Sequence, residues 1–433
     1  MESIDRRNFL KKTALGMAGG LALSQLGNAQ SAPPNESGTN SSIPANSGTN
    51  TGVSADKSPA PARPVRERKI KLGLVGCGGR GRWIGKLFQE DGGYEIHAVA
   101  DYFQEVADKW GDQFGVDKGR RFSTLSGYKR LIESGVEAVA LEVPPHFFPE
   151  QALAAAEAGL HVYMAKPVAA DVPGCLDIKK AAKIATDKKR CFLVDYQMPT
   201  DPANIEVRKR IHGPGFGEIA QVTTFGIGGG QKDPPFQATI EDRLVDLIWV
   251  ADIAMGCDVI GNFDIHAIDA ALWALGRSPV SAVGASRICR PDPHGDAHDV
   301  CSVVYEYADG LVHNHFGQSL KNQLKGGLYC TIHGQNGFGT LNYWGKAEFR
   351  SFDDAYVGEV KGLYDEGVKR NIDTFYRNVT EGNSVNDTVS RAVESALVCI
   401  LGREAAARRN RLTMDQLLAE HKRLEVNLKG LKS

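Results

Sequence analysis

The chain has 433 residues, of which 42% are hydrophobic and 24% are charged, so it is long enough for two domains of ordinary size. Its 51 lysines and arginines nearly balance its 52 aspartates and glutamates, which leaves a formal net charge of -1. Because this balance lacks the basic surplus of nucleic-acid-binding proteins, we expect no nucleic-acid partner.

The first residues have the features of an export signal. The pair Arg6-Arg7 precedes an apolar stretch rich in small residues, and Gly27 and Ala29 form a cleavage site of the A-x-A type. We interpret residues 1–29 as a twin-arginine signal peptide, with the twin-arginine export machinery as a partner and a periplasmic location. The apolar run is too short and too rich in glycine for stable membrane insertion.

A linker is predicted next. Residues 30–68 are rich in Ser, Asn, Gly, Pro and Thr, and "NESGTNSS" is echoed by "ANSGTNTG". Such a segment buries too little apolar surface to offset its ordering entropy, so we expect it to be disordered.

Short apolar runs alternate with helical segments of ~10–15 residues from residue 69 to residue 195. This alternation predicts βαβ units, a parallel sheet and a Rossmann dinucleotide-binding domain. From about residue 217 the pattern becomes mostly strands, with hairpin turns at Asp309-Gly310 and Asn336-Gly337. The predicted fold class is therefore α/β, with a second α+β domain over residues 196–370 built on an open, mostly antiparallel sheet. Residues 371–433 are predicted to form helices that pack back on both domains.

No metal site is predicted. The eight cysteines form no CxxC pair and no zinc-type group with histidine, so we expect separate, mostly buried thiols. A disulfide between Cys289 and Cys301 stays possible. The stretch "PHGDAHD", residues 293–299, is predicted to be a solvated loop, and His313 and His315 are expected on the polar face of a strand.

A glycine-rich turn follows the first predicted strand and opens a helix. Its G-x-G-x-x-G spacing, with an acidic residue about 20 positions further on, is typical of a dinucleotide site. The carboxylate would accept hydrogen bonds from an adenosine ribose and would repel a 2′-phosphate, which favours NAD over NADP. The candidate cofactor-binding residues are Gly76, Cys77, Gly78, Gly79, Arg80, Gly81 and Asp101.

Three segments in this order resemble the Gfo/Idh/MocA oxidoreductase family: "GLVGCGGRG", "VPPHFFPEQALAAAEAGLHVYMAKPVAAD" and "GNFDIHAIDAALWALGRSP". The resemblance extends over about residues 69–425. It implies an active site in the cleft between the two domains, sugar or cyclitol substrates, and an open sheet that often forms homo-oligomers. It also places Pro144, His146 and Lys166 beside the cofactor.

The catalytic motifs of that family are only partly kept. Its Glu-Lys-Pro motif falls on Ala165-Lys166-Pro167, so the lysine is present and the glutamate is absent. Its Asp-x-x-x-His pair falls on Asn262 and His266, so the histidine is present and the aspartate is replaced. We expect Lys166, His266 and Asn262 in the catalytic site, with either Lys166 or His266 as the base.

One helix is predicted from residue 258 to residue 276. On such a helix Asn262, His266 and Asp269 share a face, while Asp264 points elsewhere.

Three functions stay open at this point. The first is an exported NAD-dependent oxidoreductase that acts on a hydroxyl of a sugar, cyclitol or glycoside. The second is an NAD-dependent glycosidase that oxidises a sugar transiently and recycles its cofactor. The third, motivated by Ala165 and Asn262, is a family member that binds sugar or cofactor without turnover.

Overall fold

A computed structural model describes residues 66–236, 239–245 and 247–433. The predicted signal peptide and residues 30–65 of the predicted linker lie outside the described residues.

The first half of the described chain forms a six-stranded parallel sheet in the order β3-β2-β1-β4-β5-β6. Its strands are nearly continuous apolar runs because helices cover both faces of the sheet. These strands are β1 (Ile70–Val75), β2 (Tyr94–Ala100), β3 (Arg121–Phe122), β4 (Ala138–Leu141), β5 (His161–Met164) and β6 (Phe192–Val194). The helices between them are α1 (Gly79–Asp91), α2 (Gln104–Phe114), α3 (Gly127–Ile132), α4 (Phe148–Glu157) and α5 (Val172–Asp187). This is the predicted Rossmann arrangement.

The second half forms a nine-stranded sheet in the order β14-β13-β12-β11-β7-β10-β9-β8-β15, in which β7 and β10 are the parallel neighbours. Its strands are β7 (Ile219–Gly228), β8 (Ser281–Arg287), β9 (Val300–Glu306), β10 (Val312–Ser319), β11 (Gly327–Gly334), β12 (Gly337–Asn342), β13 (Gly345–Ser351), β14 (Ala355–Val360) and β15 (Leu412–Thr413). The helices α6 (Pro202–Ile211), α7 (Ile253–Gly256), α8 (Asp258–Asn262) and α9 (Ile265–Leu275) accompany this sheet. The prediction of an α/β chain with a second, mostly antiparallel sheet is confirmed.

The last helices contact elements of both halves. They are α10 (Leu363–Glu381), α11 (Asp387–Arg408) and α12 (Met414–Glu420). Helix α10 packs on α1, and the Tyr94 hydroxyl donates a hydrogen bond of 2.8 Å to the Ile372 carbonyl. Helix α11 contacts α5 and β6 on one side and α9 and β8 on the other. The two sheets are therefore bridged by the end of the chain.

The prediction of one helix over residues 258–276 is wrong. The helix is interrupted at Phe263 and Asp264, between α8 and α9, so residues 262, 266 and 269 do not follow one helical spacing. The interruption lets the Asp264 side chain lie on the second sheet, where Gly226 and Gly317 leave room for it. Its Oδ2 atom lies 3.0 Å from Nε2 of His315. A local pattern misses this break because its cause lies on distant strands.

One expectation about polar residues is also wrong, and another holds only in part. His313 and His315 lie on the inner face of β10 and are fully buried. Thr224 on the neighbouring strand hydrogen-bonds to one nitrogen of each ring. The 293–299 loop is only partly solvated, since Asp299 is buried and accepts hydrogen bonds from the backbone of Cys289 and Arg290.

All eight cysteines are free, and most are buried; Cys289 is exposed and Cys301 is half-buried. None of the helices in the described part of the chain combines the length and the apolar character that crossing a bilayer requires.

Candidate active site

The glycine-rich turn joins β1 to α1 in a conformation that only glycines allow. Gly76 has φ +86°, and a Cβ atom on Gly81 would lie 1.7 Å from the Gly76 carbonyl oxygen. A Cβ on Gly78 or Gly79 would meet no atom within 4 Å, so this side of the turn is open. The N-terminus of α1 therefore faces open space. The backbone N–H groups of its first turn can donate hydrogen bonds to the pyrophosphate of a dinucleotide.

Asp101 stands directly after β2 and beside this turn. Its Oδ2 accepts a hydrogen bond of 2.8 Å from the Cys77 backbone N–H, and its Oδ1 accepts one of 3.0 Å from Phe103. Burial raises the pKa of the Asp101 carboxyl above its usual value. The Cys77 thiol is buried, and burial also raises its pKa, so Cys77 contributes through its backbone. Each carboxylate oxygen keeps a lone pair, which fits a ribose hydroxyl.

A cluster of charged side chains lies at the same edge of the sheet. Lys166 follows β5, and its Nζ donates a hydrogen bond to the backbone carbonyl of Asn262. The Arg80 guanidinium lies 2.9 Å from Oε2 of Glu142, which follows β4, and 2.5 Å from Oδ2 of Asp195, which follows β6. Both carboxylate side chains are fully buried. Ligands of open parallel sheets bind at this edge, outside the carboxyl ends of the strands.

In this cluster the pKa values of Lys166 and Glu142 lie close to neutral pH. Burial lowers the pKa of Lys166 to about 7, and Arg80 adds to this effect while Asp195 and Glu142 oppose it. Burial raises the pKa of Glu142 to about 7, although Arg80 opposes that rise. An amine and a carboxyl that both titrate near neutral pH are suited to general acid–base chemistry.

His266 is buried next to Lys166 and is neutral. Burial, followed by the charges of Lys166 and Arg80, holds its pKa well below the usual value. Its ring centroid lies 4.8 Å from that of Tyr343 and 6.0 Å from that of Tyr196. Its Nδ1 atom has no hydrogen-bond partner among the described residues. A neutral imidazole can form hydrogen bonds, but it does not add a positive charge to the site.

The other residues predicted for the site lie around this core. Within the described part of the chain, the side-chain amide of Asn262 reaches only the Gly256 carbonyl, at 3.5 Å. Asn262 therefore contacts Lys166 through its backbone. Pro144 and His146 follow β4, as Glu142 does, and burial lowers the pKa of His146. Asp269 lies apart, because Arg391 and Ser395 of α11 bind its carboxylate.

Sequence analysis missed two members of the cluster and named the third, Arg80, only as a cofactor-binding residue. Glu142 and Asp195 were not proposed, and Arg80 was placed beside the cofactor, whereas its side chain pairs with both carboxylates. A usable signal exists, since both acids directly follow strands of the parallel sheet. These acids supply the negative charge that Ala165 and Asn262 cannot supply.

Comparisons with known proteins agree with this geometry. Residues 70–196 match the model of the Gfo/Idh/MocA oxidoreductase family, described as an NAD-binding Rossmann fold. Inositol 2-dehydrogenase of Rhizobium meliloti (strain 1021) is 24% identical over 243 residues, which cover 56% of this chain and 66% of that enzyme, just under two thirds. Levoglucosan dehydrogenase of Pseudarthrobacter phenanthrenivorans is 23% identical over 404 residues, which cover 81% of this chain and 100% of that enzyme.

A solved structure of levoglucosan dehydrogenase in complex with NADH and levoglucosan superimposes with a TM-score of 0.67 at 19% identity, covering 81% of this chain and 100% of that one. The fold thus continues beyond the Rossmann domain. Residues 70–196 are thus similar to the NAD-binding Rossmann domain of the Gfo/Idh/MocA oxidoreductases. NAD is the cofactor of this enzyme, in agreement with the open turn and with Asp101.

Proposed function

We propose that this protein oxidises a secondary hydroxyl of a sugar or cyclitol, with Lys166 as the base. The observation that carries the proposal is the environment of Lys166. Its amine is held at the carboxyl edge of the nucleotide-binding sheet with a pKa lowered to about 7. The dehydrogenase activities of the two matched relatives support the same class of substrate.

The side chains divide the work of such a reaction. NAD, held by the glycine-rich turn and Asp101, would supply the acceptor for the hydride of the carbinol carbon. Lys166 in its neutral form takes the hydroxyl proton, which becomes the third proton of its ammonium group. His266 lies beside Lys166 as a neutral imidazole, because burial lowers its pKa, and so adds no positive charge next to the ammonium group that forms. Glu142 and Asp195 balance the ammonium charge that develops, and Arg80 limits how far they raise the lysine pKa.

The substrate class is tested by reading two products separately. The full chain is purified and its bound cofactor is extracted and identified. Free sugars, inositols, levoglucosan and nitrophenyl glycosides are then supplied with added NAD. We expect NADH to accumulate in proportion to the oxidised sugar. Release of nitrophenol without NADH would instead indicate a glycosidase, and binding of sugar with no product at all would indicate a member without turnover.

We also propose that the protein is exported in folded form. The support is the order of Arg6-Arg7, the apolar stretch and the cleavage site ending at Ala29 in the sequence. Export after folding suits a protein that must bind a cytoplasmic cofactor first. Changing Arg6-Arg7 to Lys-Lys should retain the precursor in the cytoplasm, as measured by cell fractionation. Equal periplasmic amounts of both forms would contradict this proposal.

A further inference from the structure

Three side chains with metal-binding atoms converge on the inner face of the second sheet. They are Asp264 from the connection between α8 and α9, Cys301 on β9 and His315 on β10. One oxygen, one sulfur and one nitrogen of this group all lie within 4.8 Å of one another. Asp264 and His315 are fully buried, and Cys301 is half-buried. The proposed oxidation uses none of these three side chains.

The space between the three atoms is kept open by a glycine. A Cβ atom on Gly317 would lie 2.2 Å from Oδ2 of Asp264, 2.7 Å from Sγ of Cys301 and 3.2 Å from Nε2 of His315. Zinc ligands lie at about 2.0–2.2 Å for carboxylate oxygen, about 2.3 Å for thiolate sulfur and about 2.0–2.1 Å for imidazole nitrogen. An ion cannot lie at the Cβ position itself, which is one bond length from the Gly317 Cα, but the small glycine leaves the three ligand atoms free to approach one another. Because these atoms all lie within 4.8 Å of one another, they can surround an ion farther from the backbone.

The surroundings orient the histidine as a ligand. Nδ1 of His315 lies 3.0 Å from Oγ1 of Thr224, which in turn lies 2.7 Å from Nε2 of His313. A ligating imidazole commonly uses its second nitrogen in this way, because that hydrogen bond fixes the ring. In addition, Oδ1 of Asp264 is buried without a hydrogen-bond partner among the described residues. A buried carboxylate oxygen with no partner is costly, and a cation nearby would offset that cost.

We propose that Asp264, Cys301 and His315 bind a divalent transition-metal ion, with Zn²⁺ as the preferred ion. A mixed oxygen, sulfur and nitrogen set fits Zn²⁺ and excludes Mg²⁺ and Ca²⁺, which take oxygen ligands. Cys301 and Gly317 also line a cavity of about 10 Å³, about the smallest volume that holds one water, on which Asp264 and His315 do not border.

Binding changes the positions of several protons but not of the heavy atoms that carry them. Cys301 releases its thiol proton to solvent and binds as a thiolate. The His315 proton moves from Nε2 to Nδ1, from which it is donated to Thr224. The Thr224 hydroxyl then donates to Nε2 of His313, and the proton of His313 moves from Nε2 to Nδ1. The hydrogen bonds along this row reverse direction while the heavy atoms stay in place. The ion would thus fasten the connection between Asn262 and His266 to the second sheet.

The test uses the full chain in a Cys289→Ser background, because Cys289 is the exposed thiol. The protein is treated with EDTA, dialysed, and titrated with Zn²⁺, with metal content measured by mass spectrometry. We expect one ion per chain. Cys301→Ala should lower the affinity by about 100-fold or more. Cys330→Ala is the matched control, since Cys330 is a buried thiol on β11 outside the group, and it should bind Zn²⁺ as the parent does.

Cobalt provides a readout that does not depend on the folding of the variants. Co²⁺ added to the parent should give a thiolate-to-metal charge-transfer band and tetrahedral absorption bands, and Zn²⁺ should displace both. Absence of these bands, or equal Zn²⁺ binding by Cys301→Ala and Cys330→Ala, would overturn the proposal. In either case the group would be a hydrogen-bonded pair of Asp264 and His315 with a neighbouring thiol.

Discussion

Arg80 and Asp195 form an ion pair across the carboxyl edge of the parallel sheet, with 2.5 Å between Nη2 and Oδ2. Arg80 lies in the glycine-rich turn, at the start of α1, and Asp195 directly follows β6. The ion pair therefore connects the nucleotide site to the region around Lys166. Asn371 of α10 donates a hydrogen bond of 2.7 Å to the other oxygen of Asp195. The carboxylate absent at position 165 is thus provided from other strands.

Removing the amine of Lys166 should abolish turnover while NAD still binds. In Lys166→Met we expect kcat to fall by about 10²–10⁴-fold, the usual contribution of a general base. The parent kcat/KM should rise with pH through about 7, because the pKa of Lys166 is about 7 and only the neutral amine accepts a proton. Stopped-flow measurement of NADH formation over a range of pH checks the rates, and isothermal titration calorimetry with NAD checks cofactor binding.

Lys166→Arg separates the charge of this residue from its basicity. Arginine keeps the cation but does not deprotonate in this pH range, so the variant should be as inactive as Lys166→Met. Lys180→Met changes an exposed lysine of α5 and serves as the control. An active Lys166→Arg enzyme would show that the lysine acts as a fixed charge.

Asp195→Asn should shift the pH profile to lower pH. Asp195 raises the pKa of Lys166, and it also pairs with Arg80, whose charge lowers that pKa. Loss of the carboxylate therefore lowers the lysine pKa by both routes, and we expect a shift of about 1 pH unit in kcat/KM. Asp309→Asn removes a carboxylate from an exposed ion pair with Arg277 and should leave the profile in place. An unshifted midpoint in Asp195→Asn would refute the assigned role.

Two alanine substitutions in the glycine-rich turn should differ sharply. The Cβ of Gly81→Ala would lie 1.7 Å from the Gly76 carbonyl oxygen, a backbone atom that cannot yield easily. We expect a loss of stability of about 1–3 kcal/mol, with weakened NAD binding. Gly79→Ala meets no atom within 4 Å and should keep the stability of the parent. Thermal unfolding with and without NAD compares the pair, and equal melting temperatures would contradict this account of the turn.

The outer face of the second sheet should be an interface between copies of the chain. Phe316 is 41% exposed and Val304 is 38% exposed on adjacent strands, and Phe225 lies beside Phe316 with ring centroids 6.2 Å apart. Exposed apolar patches of this kind commonly mark interfaces. Phe316→Arg should lower the mass measured by light scattering. Phe352→Arg, at a residue 84% exposed in the turn after β13, is the control and should leave the mass unchanged. A monomeric parent would remove the basis for this expectation.

Local features of this fold could be predicted from the sequence, and distant contacts could not. Gly76 and Gly81 are five positions apart, and the strand before them and the helix after them follow from adjacent residues. The partners Arg80 and Asp195 are 115 positions apart, and no spacing rule joins them. Arg80 and Asp195 come together because of the order of the strands in the parallel sheet.

The polar interior of the second sheet was missed for a related reason. Alternation along β10 shows that His313 and His315 share a face, but it does not show which face is buried. Likewise, Asp264 interrupts a helical pattern because Gly226 and Gly317 leave space on strands far away in the chain. Such features depend on packing between elements rather than on the preferences of single residues.

The bond between Lys166 and Asn262 ends on a main-chain carbonyl. The side chain at position 262 can therefore change without loss of this contact. This explains how the site can carry asparagine where the resembled family has aspartate. It also links the protonation of the lysine to the separation of the two sheets. If the cleft opened, water would reach the amine and its pKa would return towards 10.5. The neutral, reactive amine would then exist at neutral pH only in the closed enzyme.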